Sequence, residues 1–590
     1  MKVENGKFYF IKDEFFDLFK NYKLMENKEN GNKRPCFFCF NDPENEEIIW
    51  FVPISSKVDK YKKIYEIKKE NRKKVYNFIF GKLLGKERVF LIQNIFPTCE
   101  KYVENKYQNK MQDVEITENL KNEIIETSMS VIKLARKGFN IPFYDIMEMK
   151  QLLLENIIEN KNLVGIKNSI LISMDEKQEK IQENIDIIIE NDKILKIGMN
   201  IIKDYSCDKV IDATGKVVMP GLINAHAHVP MSVFRETVDG YKTQDWLEKK
   251  IWPMESKLEK IPNAIYHASL LTFAEMIKTG CTTINDMYFE TEQIITAMQK
   301  AGIRLQTSRT LMGNSSDDLY RLKELEDIMK KYKGVQNLTF NAGIHGFYTT
   351  SKQIVEKYAE FARKNNLNVH IHFCENAKEV EDIEKSRGKM PVKVLKEELR
   401  GLKLILAHSV KLNDDDIDEL SKIENISIVS CPVSNLKLGC GVAPIYKMIS
   451  KNINVSLGTD GQGSGSNVDM FETMKFASLL QKGVDENPEE ITSFDALKMA
   501  TINGAKALGL ENEIGSIEEG KKADIIIVNI NNIIAKPTND LLSQLVYNIK
   551  GIDVETTIVN GKILMEDRKL INLNEKEIVQ NAEKIIKELE

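Results

Sequence analysis

Histidine is absent from the first 225 residues of this chain. All seven histidines lie between positions 226 and 408 of a chain of 590 residues. Any chemistry before residue 226 must therefore use Lys, Arg, Ser, Tyr or carboxylate side chains. Because 590 residues also exceed the length of one ordinary domain, this uneven distribution predicts two separate units.

Long hydrophobic runs are also lacking. No apolar stretch approaches the roughly 20 residues that a membrane helix requires, and the N-terminus has no apolar core of a signal peptide. The composition, with 42% hydrophobic and 29% charged residues and a net charge of -5, is that of a soluble globular protein. We therefore expect a cytoplasmic protein without membrane contact.

Paired cysteines are scarce as well. Of the eight cysteines, only Cys36 and Cys39 have the C-x-x-C spacing. A zinc knuckle would need a second pair, and the apolar, aromatic stretch 35–40 favours a strand instead. We expect free thiols in a reducing compartment.

The histidines that are present begin with His226 and His228, which follow the apolar run 217–219. Residues two apart on a strand share a face, so both rings can point at one metal ion. A single pair of this kind is more often two unrelated polar residues of a loop. A metal site is favoured only if other strands also end in metal-binding residues.

Three later apolar stretches also end in, or just before, residues that can bind a metal ion or carry a proton. They are 369–373, which contains His372 and precedes Glu375; 404–408, which ends in His408; and 455–460, which ends in Asp460. Carboxyl ends of strands are where a (β/α)8 barrel collects its active site. Four strand ends together therefore predict one catalytic metal centre.

The chain alternates strands and helices around these motifs, which predicts a (β/α)8 TIM barrel over residues 220–510. The predicted barrel strands are 217–226, 281–286, 303–309, 338–345, 369–375, 404–408, 426–431 and 455–460. Short strands separated by Asn, Asp and Gly turns, at 163–219 and 511–573, predict a β-sandwich domain split around the barrel. Residues 574–590 have the pattern of a terminal amphipathic helix.

The motifs PGLINAHAH, HIHFCE, LAHSV, SCPVSNLKLGCGVAPI and LGTDGQGS occur in this order from residue 220 onwards. Together with the architecture, they resemble the amidohydrolase superfamily over residues 163–575. Within it, the chain is similar to 5′-methylthioadenosine/S-adenosylhomocysteine deaminases. The resemblance implies a metal-dependent hydrolytic deaminase that converts adenosine-type nucleosides into inosine analogues and ammonia.

By position in these motifs, the resemblance implies four metal ligands: His226, His228, His372 and Asp460. Three imidazoles and one carboxylate suit Zn²⁺, with Fe²⁺ as the alternative. The predicted strand 338–345 has no lysine at its end, so a carbamylated-lysine bridge to a second ion is not expected. We predict one divalent ion.

The resemblance implies Glu375, His408 and Asp460 as catalytic groups. Water activated by a divalent ion is expected to add to C6 of the adenine ring. Glu375 is expected to carry a proton from that water to N1 of the ring, while His408 and Asp460 polarise the water and stabilise charge. His370 is expected to point away from His372 and to be structural.

The stretches WPME at 252–255, SR at 308–309 and GIH at 343–345 also match the deaminases that the chain resembles, at positions that contact the nucleoside there. The resemblance therefore implies substrate contacts for Glu255, Arg309 and His345, together with Glu375. The glycine-rich stretch 461–465 departs from that family's usual Ala-Ala-Ser, which concerns the substrate pocket and not the ligands. Another hydrolysis of the same superfamily, of guanine or triazine type, is the alternative. A homo-oligomer is among the expected assemblies.

Residues 1–160 predict an α+β domain, with aromatic strand material in the first hundred residues and helical periodicity at 118–136 and 144–158. Residues 57–110 hold 15 Lys or Arg but only 6 Asp or Glu. The tyrosines interleaved there are Tyr61, Tyr65, Tyr76, Tyr102 and Tyr107. Such a face can bind a phosphate backbone and stack bases, and a solvated lysine-rich surface is the simpler alternative.

The stretches WFVPISSK at 50–57, FIFGK at 78–82 and FLIQN at 90–94 resemble the endoribonuclease toxins of type III toxin–antitoxin systems, over residues 5–155. The resemblance implies RNA cleavage through attack of a ribose 2′-hydroxyl on the adjacent phosphate, with Ser55, Ser56 and Lys57 as the site. It also implies inhibition by a repeat RNA. The alternative is an antitoxin-RNA-binding module that gene fusion, or a misread stop codon, has joined to a deaminase.

Overall fold

The computed structural model describes residues 3–4, 6–22, 24, 28–29, 32–33, 35–42, 45–71, 78–109, 112–137, 139, 142, 144–159, 162–237 and 239–589. Contacts divide the chain into two compact units, Met1–Lys161 and Asn162–Glu590. Among the described helices, none is both long and apolar enough to cross a membrane.

The first unit is built on an antiparallel sheet of seven strands. In chain order they are Phe8–Ile11, Cys36–Asp42, Asn45–Ser55, Ile79–Leu83, Lys86–Phe90, Phe96–Thr98 and Val103–Lys106. Its helices are Asp13–Leu18, Val58–Asn71, Glu118–Ala135 and Ile146–Glu159, with short 3-10 turns at Lys20–Tyr22, Ile92–Asn94 and Glu100–Tyr102. Two further hairpins pair Lys28–Glu29 with Asn32–Lys33 and Gln108–Asn109 with Gln112–Asp113.

Aromatic side chains fill the core of this unit. Phe8, Trp50 and Phe90 are completely buried among the strands. The indole N–H of Trp50 donates to the buried Asp42 carboxylate (2.9 Å), which also pairs with Nζ of Lys150 (2.9 Å). Because a buried carboxylate is stable only when it is paired, this cluster ties the second strand of the sheet to the last helix.

The second unit contains a nine-stranded sheet that both ends of the unit contribute to. Its strands are Leu163–Leu171, Gln182–Glu190, Lys193–Met199, Lys209–Asp212, Lys216–Pro220, Ile525–Asn529, Val554–Val559, Lys562–Glu566 and Lys569–Leu570. Lys216–Pro220 joins the two contributions, since it runs parallel to Leu163–Leu171 and antiparallel to Ile525–Asn529. The sheet is therefore split around the intervening barrel in the chain.

A barrel of parallel strands lies between these two contributions. The strands are Leu222–Ala227, Cys281–Asp286, Arg304–Thr307, the two-part strand Leu338–Phe340 and Ala342–Ile344, Val369–Phe373, Leu404–His408, Ile426–Ser430 and Asn454–Leu457. Almost every residue in them is buried, as expected for a parallel sheet covered by helices. The Asp460 amide donates to the carbonyl of His226 (3.1 Å), which closes the last strand end against the first.

The long helices of the second unit are Ala264–Lys278, Thr291–Ala301, Tyr320–Lys331, Lys352–Asn365, Ala377–Arg387, Met470–Val484 and Glu575–Leu589. The shorter helices are Thr243–Trp246, Leu247–Ile251, Trp252–Leu258, Pro391–Glu398, Asp414–Leu420, Pro432–Lys437, Ile445–Ser450, Gln462–Gly465, Ser493–Met499, Ile502–Leu508 and Leu541–Tyr547. Single 3-10 segments occupy Ile202–Asp204, Val229–Phe234, Ser316–Leu319 and Gly551–Asp553.

The predicted first barrel strand, 217–226, is wrong in one respect. The predicted strand is interrupted at Gly221. Lys216–Pro220 belongs to the nine-stranded sheet, and only Leu222–Ala227 belongs to the barrel. A side chain at Gly221 would lie 2.2 Å from the Thr282 side chain, and this close approach requires glycine. An uninterrupted apolar run could not reveal the change of sheet.

Candidate active site

Four side chains converge at the carboxyl end of the barrel. Ligand atoms of His226, His228, His372 and Asp460 all lie within 4.8 Å of one another. His226 and His372 belong to barrel strands, whereas His228 and Asp460 follow directly after strands. Each strand end therefore delivers a metal-binding group to the same point.

Hydrogen bonds orient all three imidazoles in the same way. The partners of the Nδ1 atoms are the carbonyl oxygen of Met287 for His228 (2.6 Å), that of His345 for His372 (2.8 Å), and Nε2 of His370 for His226 (2.9 Å). The Nε2 atoms are left facing the cluster. Hydrogen bonds to the other ring nitrogen are what hold metal-binding imidazoles in orientation.

Asp460 completes the cluster. Its Oδ1 lies 3.1 Å from Nε2 of His228 and 3.3 Å from Nε2 of His226. Its Oδ2 accepts hydrogen bonds from the hydroxyl groups of Ser434 (2.6 Å) and Ser464 (2.8 Å). One carboxylate oxygen thus faces the imidazoles while the other is held by the protein.

Two of the three imidazoles are neutral, as metal ligands must be, and a bound cation would displace the proton from the third, His228. Burial lowers the pKa of His226 to about 3 and that of His372 well below its usual value, so both rings are neutral. Burial alone would also lower the pKa of His228, but Asp460 raises it to about 9. Nε2 of His226 is buried without a hydrogen-bond partner, which a cation would supply. Three imidazoles and one carboxylate form a donor set that suits a transition metal ion such as zinc.

The prediction that His370 points away from His372 is wrong. Residues two apart on a strand share a face, and both rings lie inside the barrel. His370 is completely buried, where its Nε2 contacts His226 and its Nδ1 lies 3.2 Å from Nδ2 of Asn285. Asn285 in turn accepts a hydrogen bond from Asn341 (2.6 Å). His370 therefore supports a candidate metal ligand.

Glu375 and His408, the residues predicted to move protons and stabilise charge, border the cluster. Burial raises the pKa of the Glu375 carboxyl above its usual value. Burial alone would lower the pKa of His408, but the carboxylates of Glu375 and Asp460 raise it. Nδ1 of His408 is bonded to Oδ1 of Asn435 (2.8 Å), so its Nε2 is the nitrogen left for proton transfer.

Several residues in and beside the predicted site have strained backbone conformations. The φ values are 50° for Cys374, 72° for His408, 52° for Ser409 and 61° for Asp460. They lie in the left-handed region of backbone conformation, which residues other than glycine rarely adopt. Cys374 directly follows Phe373, which explains why the predicted strand 369–375 ends early. The predicted strand 455–460 ends at Leu457, before the turn that contains Asp460. Alternating hydrophobicity carries no signal for these turns.

A cavity of about 340 Å³ opens above the cluster, within the usual range of small-molecule sites. His228, His372, Asp460, Glu375 and His408 form part of its wall. The three residues predicted to bind substrate, Glu255, Arg309 and His345, line the same cavity. The structure thus brings the predicted metal, catalytic and substrate residues together.

The charges of the three predicted substrate residues differ. Burial raises the pKa of Glu255 to about 7, and the same cause lowers that of His345 to about 4. Arg309 donates from Nε to a carboxylate oxygen of Glu324 (2.8 Å) while it faces the cavity. The cavity therefore offers a cation, a neutral imidazole and a titrating carboxyl group.

Several lining residues were missed by sequence reasoning. They are Thr243, Trp246, Ser256, Glu259, Tyr288, Met312, Tyr320, Arg321 and Tyr348, besides the aliphatic groups. They come from loops and short helices at the carboxyl end of the barrel, where neither periodicity nor spacing distinguishes a lining residue from a surface one. Ser256, Met312 and Tyr348 lie within three positions of the predicted Glu255, Arg309 and His345.

The predicted RNA-cleavage residues lie at a strand-to-helix junction of the first unit. Ser55 is buried at the end of Asn45–Ser55, and Ser56 and Lys57 are exposed before Val58–Asn71. The Ser55 hydroxyl accepts a hydrogen bond from the Lys57 amide (3.2 Å). Ser56 and Lys57 lie at the surface beside the buried Ser55, and the role of all three stays a prediction.

The prediction that the tyrosines of the basic stretch stack on bases is wrong for Tyr102, which is buried, and stays a prediction for the partly exposed Tyr61, Tyr65 and Tyr107. Tyr61 and Tyr65 pack on Phe78 and Phe80, Tyr107 packs on Phe10, and Tyr102 is buried in the core. Tyr76 lies outside the described residues. Part of each of the Tyr61, Tyr65 and Tyr107 rings is taken up by packing within the domain, so charge is the main basis for the predicted RNA binding.

Comparison with known proteins identifies the family. The profile of the Amidohydrolase family matches residues 217–564. The chain is 42% identical over 430 residues to a 5-methylthioadenosine/S-adenosylhomocysteine deaminase from Thermoanaerobacter pseudethanolicus, covering 72% of this chain and 98% of that protein. It is 40% identical over 435 residues to a 5′-deoxyadenosine deaminase from Methanobrevibacter smithii, with the same coverage of 72% and 98%.

A solved structure agrees with these relatives. An adenosine deaminase from Xanthomonas campestris with bound zinc superposes with a TM-score of 0.69 at 27% identity, over 72% of this chain and 98% of its own. The relatives confirm the predicted enzyme class, a hydrolytic deaminase, and the predicted barrel with its β-sandwich. The first unit lies outside the profile match, which begins at residue 217. The chain belongs to the amidohydrolase family.

Proposed function

We propose that the chain deaminates adenosine-type nucleosides with a modified 5′ position. The candidate substrates are 5′-methylthioadenosine, S-adenosylhomocysteine and 5′-deoxyadenosine, and the products are the inosine analogue and ammonia. One observation carries the proposal: three members of the metal-binding cluster, His228, His372 and Asp460, line a cavity together with Glu375 and His408, and His226 completes the cluster. Guanine-type and triazine-type hydrolysis are less favoured, because the relatives near 40% identity act on adenosine derivatives.

Zinc is the ion that we propose for this cluster, because the donor set suits it and the similar adenosine deaminase binds it. When bound, the ion supplies Lewis-acid activation of water. The carboxylate of Asp460 can hold a water molecule beside the cluster, since its Oδ1 faces the imidazoles.

Glu375 is assigned the proton transfers. Its buried carboxylate accepts a proton from the attacking water and donates it to N1 of the purine, as oxygen adds to C6. His408 stabilises negative charge on that oxygen. Burial alone would lower the pKa of His408, but the nearby Glu375 and Asp460 raise it. The second proton of the water passes to the amino group, which leaves C6 as ammonia.

Glu255 and Arg309 are assigned to the sugar and its 5′ substituent. The ionised carboxylate of Glu255, which is half-buried, needs hydrogen-bond donors, and the two ribose hydroxyl groups supply them. Of the three candidate substrates, only S-adenosylhomocysteine carries a carboxylate, which Arg309 or Arg321 would meet in the cavity wall. Arg309→Gln should therefore reduce kcat/KM for S-adenosylhomocysteine while leaving 5′-deoxyadenosine within about threefold, because one charge-assisted contact is lost.

The proposal is tested by turnover of the three nucleosides, guanine and a triazine, with bound metal measured on the same sample. We expect ammonia release from the nucleosides, and loss of both metal and turnover in His228→Ala. The matched control is His267→Ala, because His267 lies in the helix Ala264–Lys278 and outside the cavity lining. Turnover of guanine or the triazine alone would contradict the proposal.

For the first unit, we propose RNA binding at the Ser55–Ser56–Lys57 junction, as in the type III toxins that the sequence resembles. The support is the exposed position of Ser56 and Lys57 and the exposed lysines Lys60, Lys62 and Lys63 of the helix that follows. Clustered lysines bind phosphates without regard to sequence. Whether RNA is cleaved or only bound is what an assay of this unit must decide.

A further inference from the structure

Glu379 is a buried carboxylate for which the reaction described above has no use. It lies in the first turn of the helix Ala377–Arg387 and is only 1% exposed. Burial and the nearby Glu375 raise its pKa to about 7. Within the described part of the chain, no lysine or arginine forms an ion pair with it. A carboxylate is stable in such a place only if hydrogen bonds replace its water.

Both oxygens of Glu379 accept hydrogen bonds from neighbouring backbone amides. Oε1 accepts from the N–H of Cys374 (2.9 Å), and Oε2 accepts from the N–H of Glu375 (2.7 Å). In a capping box, a glutamate at this helix position would bond the N-cap residue, here Asn376. Glu379 instead bonds the two residues before the N-cap, so it holds the catalytic turn.

The carbonyl side of the same turn is held as well. The carbonyl oxygen of Cys374 accepts from the amides of Val410 (3.0 Å) and Lys411 (2.8 Å), in the loop that follows His408. Cys374 itself adopts a φ of 50°, a strained conformation that persists only where its surroundings impose it. Glu379 supplies the contacts on the N–H side of this strained turn.

We propose that Glu379 is a positioning residue that fixes the backbone of Glu375 so that its carboxylate meets the reacting purine. The proposal rests on the proposed function, because it assumes that Glu375 carries protons. Glu379 lines neither the cavity nor the ligand cluster, and acts only through Glu375. Since a misplacement of about 1 Å can lower a rate by about a hundredfold, holding this turn affects kcat more than binding.

The test compares Glu379→Gln, Glu375→Gln and the double variant at about pH 8, above the pKa of Glu379. Glu379→Gln keeps the shape but replaces one acceptor by an amide N–H that faces another N–H. We expect kcat to fall by about 10- to 100-fold, with KM and metal content within about twofold of the parent. The double variant should lose little beyond Glu375→Gln, because residues that act as a unit are not additive.

The matched control is Glu398→Gln. Glu398 is another buried carboxylate, and it pairs with Arg387 outside the cavity. This change should lower the melting temperature and leave kcat unchanged. Unchanged kcat in Glu379→Gln, or losses that multiply in the double variant, would overturn the positioning role. A parent chain without activity on any nucleoside would instead contradict the proposed function, so the two failures are distinct.

Discussion

Nε2 of His370 lies 2.9 Å from Nδ1 of His226, and both rings are completely buried inside the barrel. Asn285 contacts the far side of His370 and also donates to the carbonyl of Ala225 (2.9 Å). The ring of His226 is therefore held from behind while its Nε2 faces the ligand cluster. Partners of this kind fix the orientation of an imidazole before an ion binds.

His370→Phe should weaken metal binding. Phenylalanine fills the ring volume but offers no hydrogen bond to Nδ1 of His226, so that ring can turn away from the cluster. We expect the Kd for zinc to rise by about 10- to 100-fold, measured by competition with a chelator. His370→Gln, which can still contact Nδ1, should recover part of the affinity.

Ser456→Ala is the control for this prediction. Ser456 is completely buried in a barrel strand and donates to the carbonyl of Ile428 (3.1 Å), without contacting a ligand. Its loss should lower stability by about 1 kcal/mol and leave zinc affinity unchanged. Equal zinc affinity in His370→Phe and the parent would show that His370 only fills space.

Glu375→Gln should separate chemistry from metal binding. Glutamine keeps the shape of the side chain but cannot accept a proton from water, and Glu375 is not in the ligand cluster. We expect full metal content and a decrease in kcat of about a hundredfold or more. Turnover near that of the parent would remove Glu375 from the mechanism.

Substrate binding should depend on pH through Glu255. Burial raises the pKa of this carboxyl from its usual 4.5 to about 7. The ionised form accepts hydrogen bonds from ribose, so binding is complete above this pKa and weakens as pH falls through it. Calorimetric titration with 5′-deoxyinosine should show a rising Kd below about pH 7, with no such rise in Glu255→Gln. A parent Kd that is constant with pH would contradict this role.

Much of the barrel and its site could be predicted from the sequence, because each strand is a short apolar run that ends in a polar residue. The two-residue spacing of His226 and His228 survives folding, since a strand has a period of two. That same rule, applied to His370 and His372, would have placed both rings inside the barrel. The wrong assignment of His370 was an error of reasoning and not a missing signal.

Other features had no signal in a single sequence. Glu379 contacts Cys374 and Glu375 through the backbone, and hydrogen bonds to amides leave no pattern of residue types. The break at Gly221 depends on Thr282, sixty-one positions later, and its cause is a close approach in space. Tyr61 and Tyr65 have the spacing of a helix face, which suits packing as well as exposure, and packing on Phe78 and Phe80 is what the structure has.

The RNA prediction for the first unit is tested on residues 1–161, which form a compact unit with a core of their own. Expressed alone, this fragment should cleave single-stranded RNA and slow bacterial growth, and Lys57→Ala should relieve both. The physical reason is that Lys57 neutralises charge as the 2′-hydroxyl attacks the phosphate, with Ser55 and Ser56 adjacent. Deamination by the full chain should be unaffected.

Lys86→Ala is the control that separates a specific site from general charge. Lys86 is exposed in the same basic stretch, at the start of the strand Lys86–Phe90. Its loss removes one positive charge, as Lys57→Ala does, but leaves the Ser-Ser-Lys junction intact. Cleavage should therefore survive in Lys86→Ala, whereas affinity falls equally in both variants because each removes one phosphate contact. RNA binding without cleavage would favour the antitoxin-binding module, and absence of binding at low salt would leave the lysines as a solvated surface.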